Sequence, residues 1–328
     1  MSSISQLLKE NNPHEDILTI AGSLGDKENI PTYIVGGYVR DTLLGKSCQD
    51  IDIMVEGDGV AFAKLLANEL KVNVTVDYDK FGTALIPYPN VDIEVATARK
   101  EKYQSDSRKP EITSSTVEED MSRRDFTINA IAASLMPSSF GELYDPFGGI
   151  KDLQKGLLIT PLDPDETFSD DPLRMLRAVR FSAQLQYEIA AATLDSISRN
   201  IHRLEIVSWE RIRDEIIKSL TTEKPSIAFY LMKETGLLAH VFPEMDIMSG
   251  VEIINGMGHK DVFTHTLQVV DNAAKLTDKM DVRFAALVHD IAKPPTKRFE
   301  PKKGWTFHGH DEIGRRMLKK VARRMKLS

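Results

Sequence analysis

Short runs of alternating apolar and polar residues dominate the first 150 positions, and from residue 170 onward apolar residues recur every three or four instead. Alternation sends side chains to opposite faces of a strand, whereas the longer spacing lines one face of a helix. The alternating part predicts an amphipathic first helix, a strand at 33–35, a helix from Val39 toward Leu44, a strand at 50–56 and a helix at 61–70. Segments at 72–76, 83–87 and 91–97 follow as a meander. Residues 99–119 are charged, rich in Ser and Thr and without periodicity, and they read as a mobile loop. Beyond 170 the chain reads as helical almost throughout, with short breaks at Pro225, Gly236 and Pro243 and a second, histidine-rich helical segment from about His259. The expected fold class is α+β: a mixed sheet with helices, followed by an all-α region. The expected domains are 1–160, 161–240 and 241–328.

Composition narrows the setting. The 328 residues suffice for two or three cores, and 41% hydrophobic with 28% charged residues is ordinary for a soluble protein. No apolar run approaches the roughly 18 residues of a membrane span. The first twelve residues lack a signal-peptide core and are not Arg-rich, and the single Cys48 excludes an internal disulfide. A cytoplasmic location is expected. Net charge is −7, but residues 281–328 hold 13 Lys/Arg against 5 Asp/Glu, a local +8 that leaves −15 for the rest. In Arg315-Arg316-Met317-Leu318-Lys319-Lys320-Val321-Ala322-Arg323-Arg324 the bases recur every four residues. On a helix they form a stripe opposite Met317, Leu318, Val321 and Met325, which suits either solvent or a phosphate backbone.

The candidate chemistry starts at Gly36-Gly37-Tyr38-Val39-Arg40-Asp41, followed by Asp50-Ile51-Asp52. Asp50 and Asp52 leave one face of a strand, and two carboxylates so close repel unless a cation sits between them. Mg²⁺ prefers such oxygen ligands and completes its shell with substrate phosphates, and Mn²⁺ suits the same set. The Gly36-Gly37 turn allows close backbone approach, and the helix after it aims amides at an anion. Arg40 can reach a phosphate, and Asp41 can orient Arg40 or a ribose. In Val91-Asp92-Ile93-Glu94-Val95, Asp92 and Glu94 share a face, and either suits a general base for a primer hydroxyl. These residues point to nucleotidyl transfer.

Gly36-Gly-x-Val-Arg-Asp41 with Asp50-x-Asp52, then Arg123-Arg-Asp-Phe-Thr-Ile-Asn-Ala130, Asp145-Pro-Phe-Gly-Gly-x-x-Asp-Leu153, Asp170-Asp-Pro-Leu-Arg-Met-Leu-Arg-Ala178 and Glu210-Arg-Ile-Arg213 stand in order along the chain. Together they resemble the class II tRNA nucleotidyltransferase and bacterial poly(A) polymerase family. The resemblance implies a polymerase-beta-like nucleotidyltransferase head over 1–160, a helical neck over 161–240 for base recognition and RNA binding, and an HD-type segment over 241–328. It implies catalytic Asp50, Asp52 and Glu94, the aspartates as metal ligands and Glu94 chosen over Asp92. Gly36, Gly37, Arg40, Arg123, Arg124, Asp125 and Asn129 are expected at the triphosphate and sugar. Asp171 and Arg174, with Arg177 and Arg180 beyond them, are expected to read the base. Here Asp170 stands where the family usually has Glu; Ser169 or Asp170 is expected to cap the helix. Arg211, Arg213, Arg315, Arg316, Lys319 and Lys320 are the expected RNA contacts. The loop at 100–119 resembles the family's flexible loop for switching from CTP to ATP.

His265, His289-Asp290, His308 and His310 resemble an HD domain, whose separated His, His-Asp pair and distant Asp bind metal for phosphohydrolysis. The final aspartate is expected beyond Ser328, so the segment reads as an incomplete HD domain, with His265, His289 and Asp290 as ligands of a second metal. The activity implied is addition of CCA to the 3′ end of tRNA from CTP and ATP. A poly(A) polymerase, a CC- or A-adding partial enzyme, an HD-type metal phosphohydrolase and a non-catalytic RNA-binding protein are the rivals.

Overall fold

The computed structural model describes residues 3–10, 12–48, 50–72, 76–78, 82–104 and 107–327, and for 76–78, 100–104 and 107–114 the backbone alone. The chain divides into two compact units, 1–163 and 164–328.

The first unit is a seven-stranded mixed sheet. Its elements are α1 (Ser5–Lys9), α2 (Glu15–Glu28), β1 (Thr32–Val35), α3 (Gly37–Leu43), β2 (Asp50–Val55), α4 (Gly59–Glu69), β3 (Val76–Tyr78), β4 (Thr83–Tyr88), β5 (Val91–Thr97), β6 (Arg99–Gln104), β7 (Ser107–Ser114), α5 (Val117–Ser122), β8 (Ala132–Ser134), β9 (Leu143–Tyr144) and α6 (Gly149–Lys155). Strand order is β3-β4-β5-β2-β1-β8-β9, and among the described residues only β2 and β5 of this sheet pair in parallel. Alternation decides the two faces. Ile51, Ile53, Ile93 and Val95 bury against Ile17, Leu18 and Leu24 of α2 and Phe62 and Leu66 of α4, which form the main core. The opposite face carries the carboxylates and is closed at one end by a small cluster of Val35, Met54, Ala98, Val117, Met121 and Ala132.

Three expectations change here. The first helix is two helices, α1 and α2, separated around Asn12 and Pro13. The strand expected at 72–76 is described only as Val76–Tyr78, with 73–75 outside the described residues. The stretch read as a mobile loop contains a hairpin, β6 with β7, pairing Arg99 with Ser114 through Gln104 with Ser107, and then α5; residues 105–106 lie outside the described residues. That hairpin's sequence, RKEKYQ and SRKPEITS, has no apolar alternation, and its strands are joined by backbone pairing.

The second unit is helical: α7 (Pro164–Asp170), α8 (Leu173–Leu185), α9 (Ala191–Asn200), α10 (Trp209–Leu220), α11 (Ser226–Thr235), α12 (Leu237–Val241), α13 (Pro243–Asp246), α14 (Val262–Leu276), α15 (Met280–Val288), α16 (Lys293–Thr296) and α17 (His310–Met325). Helix α8 packs on α10 and α11, and its Leu176, Val179 and Ala183 are buried. Two short hairpins, Ile253–Ile254 with Met257–Gly258 and Arg298–Glu300 with Gly304–Thr306, interrupt the expected all-helical run. Buried Arg283 of α15 donates to the carbonyls of Leu220 (2.7 Å), Thr222 (3.0 Å), Ala274 (3.1 Å) and Thr277 (2.8 Å), so one guanidinium satisfies the C-terminal ends of α10 and α14. No helix among the described residues is long and apolar enough to cross a membrane.

Candidate active site

The parallel register sets Asp50 beside Asp92 and Asp52 beside Glu94, with all four on the face away from the main core. Burial, and after it Asp50, raises the Asp52 pKa above the usual carboxylate range against the pull of Arg124. Glu94 is also raised, by partial burial of the carboxyl group and then by Asp52, with Arg99 and Arg124 opposing; its side chain still opens to solvent. Burial first, and then the neighbouring negative charge, disfavours ionisation of Asp52 and Glu94, a cost that a bound cation would relieve. That donor set, all oxygen, with Asp52 half-buried and Asp50 and Glu94 exposed, fits a hard divalent cation.

The glycine turn ends β1. Gly36 has φ +67°, and a Cβ there would lie 2.6 Å from Nη1 of Arg124, so a side chain is excluded both by conformation and by the arginine. Arg124 and Arg123 converge on Asp120 of α5: Arg123 Nη2 donates to Oδ1 at 2.6 Å and Arg124 Nη2 to Oδ2 at 3.2 Å. Burial works against ionising Asp120, yet Arg124 and then Arg123 bring its pKa below the usual value. Sequence reasoning missed Asp120. Its spacing of three and four residues from the two arginines was the available signal. Arg124 Nη1 also reaches the Asn129 carbonyl at 3.4 Å.

Arg40 lies buried behind the turn. Its Nε and Nη2 donate to the two carboxylate oxygens of Asp41 at 2.8 and 2.9 Å, and its Nη1 donates to Asn129 Oδ1 at 2.7 Å. Asn129 Nδ2 in turn donates to Asp125 Oδ1 at 2.9 Å. Behind this stands α6: the Asp145 carboxylate accepts the amides of Gly149 (2.6 Å) and Ile150 (3.0 Å), and Asp152 accepts the Thr127 hydroxyl (2.7 Å). The Asp-Pro-Phe-Gly-Gly segment thus braces the segment that carries Arg123 to Asn129.

In the second unit Asp171 stands between α7 and α8. Its Oδ1 accepts the Leu173 amide at 3.2 Å, and its Oδ2 pairs with Arg211 Nη2 at 3.1 Å. This corrects the expected cap: Asp170 closes α7, and Asp171 rather than Ser169 or Asp170 serves the first amide of α8. Arg174 is buried and donates to the Thr167 carbonyl at 3.2 Å. Arg177 and Arg180 both flank the Phe181 ring. Arg180 is engaged deeply, with Nε 2.6 Å from Glu215 Oε2 and Nη1 2.7 Å from Gln184 Oε1. Arg213 pairs with Asp214 and donates to the Lys326 carbonyl, which ties α10 to the end of α17. On α17 the exposed Arg315 and Arg316 both pair with Glu312, whose carboxyl Arg315 chiefly holds down to about 2, while Lys319 and Lys320 are exposed on the same helix.

His265, His289 and Asp290 come together with donor atoms within 4.8 Å of one another. His289 Nδ1 lies 2.9 Å from the Ala286 carbonyl, which fixes the proton there and leaves Nε2, 3.1 Å from Asp290 Oδ2, as a ligand. Lys293 Nζ is 2.7 Å from the same buried oxygen, yet outside hydrogen-bonding directions, so Oδ2 has an ionic neighbour but no hydrogen-bond donor. Two imidazoles and a carboxylate fit a transition metal. His308 and His310 are elsewhere, beside Glu300 and the Phe307 carbonyl.

Residues 32–159 match the poly(A) polymerase head domain, 186–248 a probable RNA- and SrmB-binding site of polymerase A, and 262–327 an HD domain. The chain is 34% identical over 306 residues to the multifunctional CCA protein of Nitrosospira multiformis, covering 90% of this chain and 68% of that one. It belongs to the CCA-type tRNA nucleotidyltransferase family. The family's A-adding tRNA nucleotidyltransferase from Geobacter sulfurreducens is 34% identical over 275 residues, but this chain spans only 29% of it and is itself covered to 83%. The CCA-adding enzyme of Thermotoga maritima complexed with tRNA superposes with a TM-score of 0.74 at 30% identity, covering 99% of this chain and 70% of that one. Membership implies a divalent metal at the nucleotidyltransferase centre.

Proposed function

We propose that this chain adds CCA to the 3′ end of tRNA from CTP and ATP. The observation that carries this reading is the shared face of Asp50, Asp52 and Glu94 beside the Gly36 turn and Arg124. Asp50 and Asp52 would hold Mg²⁺, or Mn²⁺, which would supply charge against the phosphates and polarise the attacking hydroxyl. Glu94, with its raised pKa, accepts the proton of the tRNA 3′-hydroxyl. The 3′ oxygen forms a bond to the α-phosphorus of the nucleotide as the bond to pyrophosphate breaks. Arg123 and Arg124, both bonded to Asp120, are the guanidinium donors for the triphosphate. Asp125 and Asn129 take the sugar, and Asp171 and Arg174 select the base by hydrogen bonds. RNA contacts fall to Arg211, Arg213 and the bases of α17. The cell compartment proposed is the cytoplasm.

Two observations favour further readings. The Geobacter relative is an A-adding tRNA nucleotidyltransferase, and the head matches a poly(A) polymerase head domain, which favours a partial enzyme or a poly(A) polymerase as the second reading. The His265, His289 and Asp290 cluster favours a second, metal-dependent phosphohydrolase activity. Incubation with Mg²⁺ and tRNA lacking its 3′ end, supplied with CTP, ATP or both and followed by sequencing of the products, separates the transferase readings. Discrete CCA ends are expected. Long A tails select the polymerase, and no incorporation in any mixture rejects nucleotide addition altogether.

A further inference from the structure

Arg40 is only 4% exposed, and a guanidinium so buried needs charge and acceptors around it. Asp41 supplies both through a fork of two hydrogen bonds, 2.8 and 2.9 Å, at Nε and Nη2. The fork fixes rotation of the guanidinium and aims Nη1 at Asn129, 89 residues away, at 2.7 Å. Because a guanidinium only donates, the Asn129 atom it meets must be Oδ1, and the amide has a single orientation. The amide NH₂ therefore faces Asp125 Oδ1, which also accepts the Phe126 amide at 2.9 Å. Asp41 stands at the outer end of this line, partly in solvent, and Asp125 at the inner end is buried.

We propose that Asp41 is a positioning residue for sugar selection: through Arg40 it locks the Asn129 amide and the Asp125 carboxylate in the orientation that receives the ribose hydroxyls, and so sets the preference for ribonucleotides over deoxyribonucleotides. The inference rests on the assignment of Asp125 and Asn129 to the sugar in the proposed function. Substituting Asp41→Asn keeps the shape but removes the charge and one acceptor of the fork. Arg40→Lys keeps the charge but removes the fork, because an ammonium cannot bridge two acceptors in a plane.

The test is equilibrium titration of CTP and 2′-deoxy-CTP into wild type and both variants, with KM and kcat for the same nucleotides on tRNA lacking its 3′ end and a thermal melt of each protein. Wild type should prefer CTP, and each variant should lower the CTP-to-deoxy-CTP ratio by about tenfold, the size of one well-made hydrogen bond to a charged group. The loss should lie in affinity and KM, and should be about tenfold larger for CTP than for deoxy-CTP. Equal loss for the two nucleotides, an unchanged ratio, no preference in wild type, or unfolding of both variants would each overturn the proposal in favour of a purely structural ion pair. If wild type prefers CTP in binding yet adds neither nucleotide to tRNA, the proposed function falls, and the binding ratio alone still judges Asp41.

Discussion

Asp52 is half-buried, with Asp50 two residues back on its own strand and Glu94 beside it on the next. Its pKa is raised mainly by burial and further by Asp50. A carboxyl whose folded pKa lies above its unfolded one lends stability fully only below the unfolded pKa, and that contribution is lost as pH rises through the folded pKa. At neutral pH the ionised Asp52 therefore weakens the metal-free fold. Asp52→Asn should raise the metal-free melting temperature at pH 7.5 by about 2–4 °C, on the order of 1 kcal/mol, while nucleotide addition is lost. The gap between variant and wild type should narrow as pH falls through the acid range, where wild-type Asp52 becomes protonated. Melting curves from pH 4 to 8 in chelator check this, and a lower melting temperature for the variant at neutral pH would contradict it. The lesson at this scale is that alternation along 50–52 and 92–94 was enough to put the carboxylates on one face, because the period of a strand is fixed. It could not pair Asp52 with Glu94, since register depends on which strands are neighbours.

At the scale of elements, the least legible feature was how one motif supports another. Gly149 begins α6, and a Cβ there would lie 2.0 Å from the Thr127 carbonyl oxygen and 2.7 Å from its carbon. Both atoms are backbone and cannot swing aside, and Ile131 Cγ1 crowds the same point at 2.9 Å, so the contact requires glycine. The helix start is pressed onto the turn Thr127–Asn129, within the segment that carries the arginine pair and Asn129. Gly149→Ala should cost about 1–3 kcal/mol by overpacking and lower kcat/KM for CTP beyond what the stability loss explains, as Asn129 shifts. Denaturant melts and steady-state kinetics at a temperature where both proteins are folded test this; unchanged kinetics would show that α6 supports stability alone. Gly148-Gly149 was visible in the sequence only as part of a motif, because the partner carbonyl comes from 22 residues earlier in the chain. The hairpin at 99–114 was invisible for the opposite reason: its charged, Ser- and Thr-rich sequence carries no apolar alternation to mark a strand. Helix breaks at Pro225, Gly236 and Pro243 were legible because each acts within its own turn.

For the whole molecule the decisive quantity is the partition of charge, not its sum. A chain of net −7 has little long-range attraction for RNA unless its positive charge is gathered, and the gathering is on the last 48 residues. Within α17 the bases are unequal. Arg315 and Arg316 share Glu312, so much of their field is cancelled locally, whereas Lys319 and Lys320 stand exposed one turn further on. Phosphate contacts release counterions, and each contact adds about 0.7–0.9 to the slope of log affinity against log salt concentration. If α17 lies on the tRNA backbone, Lys319→Gln with Lys320→Gln should flatten that slope by up to about 1.8, two contacts' worth, and weaken binding uniformly across tRNA sequences. Arg315→Gln with Arg316→Gln should flatten it less, because Glu312 is released as the arginines go. Filter binding of tRNA from 50 to 300 mM salt distinguishes the pairs. An unchanged slope in the lysine variant would place the RNA away from α17 and leave its stripe as a solvated helix face.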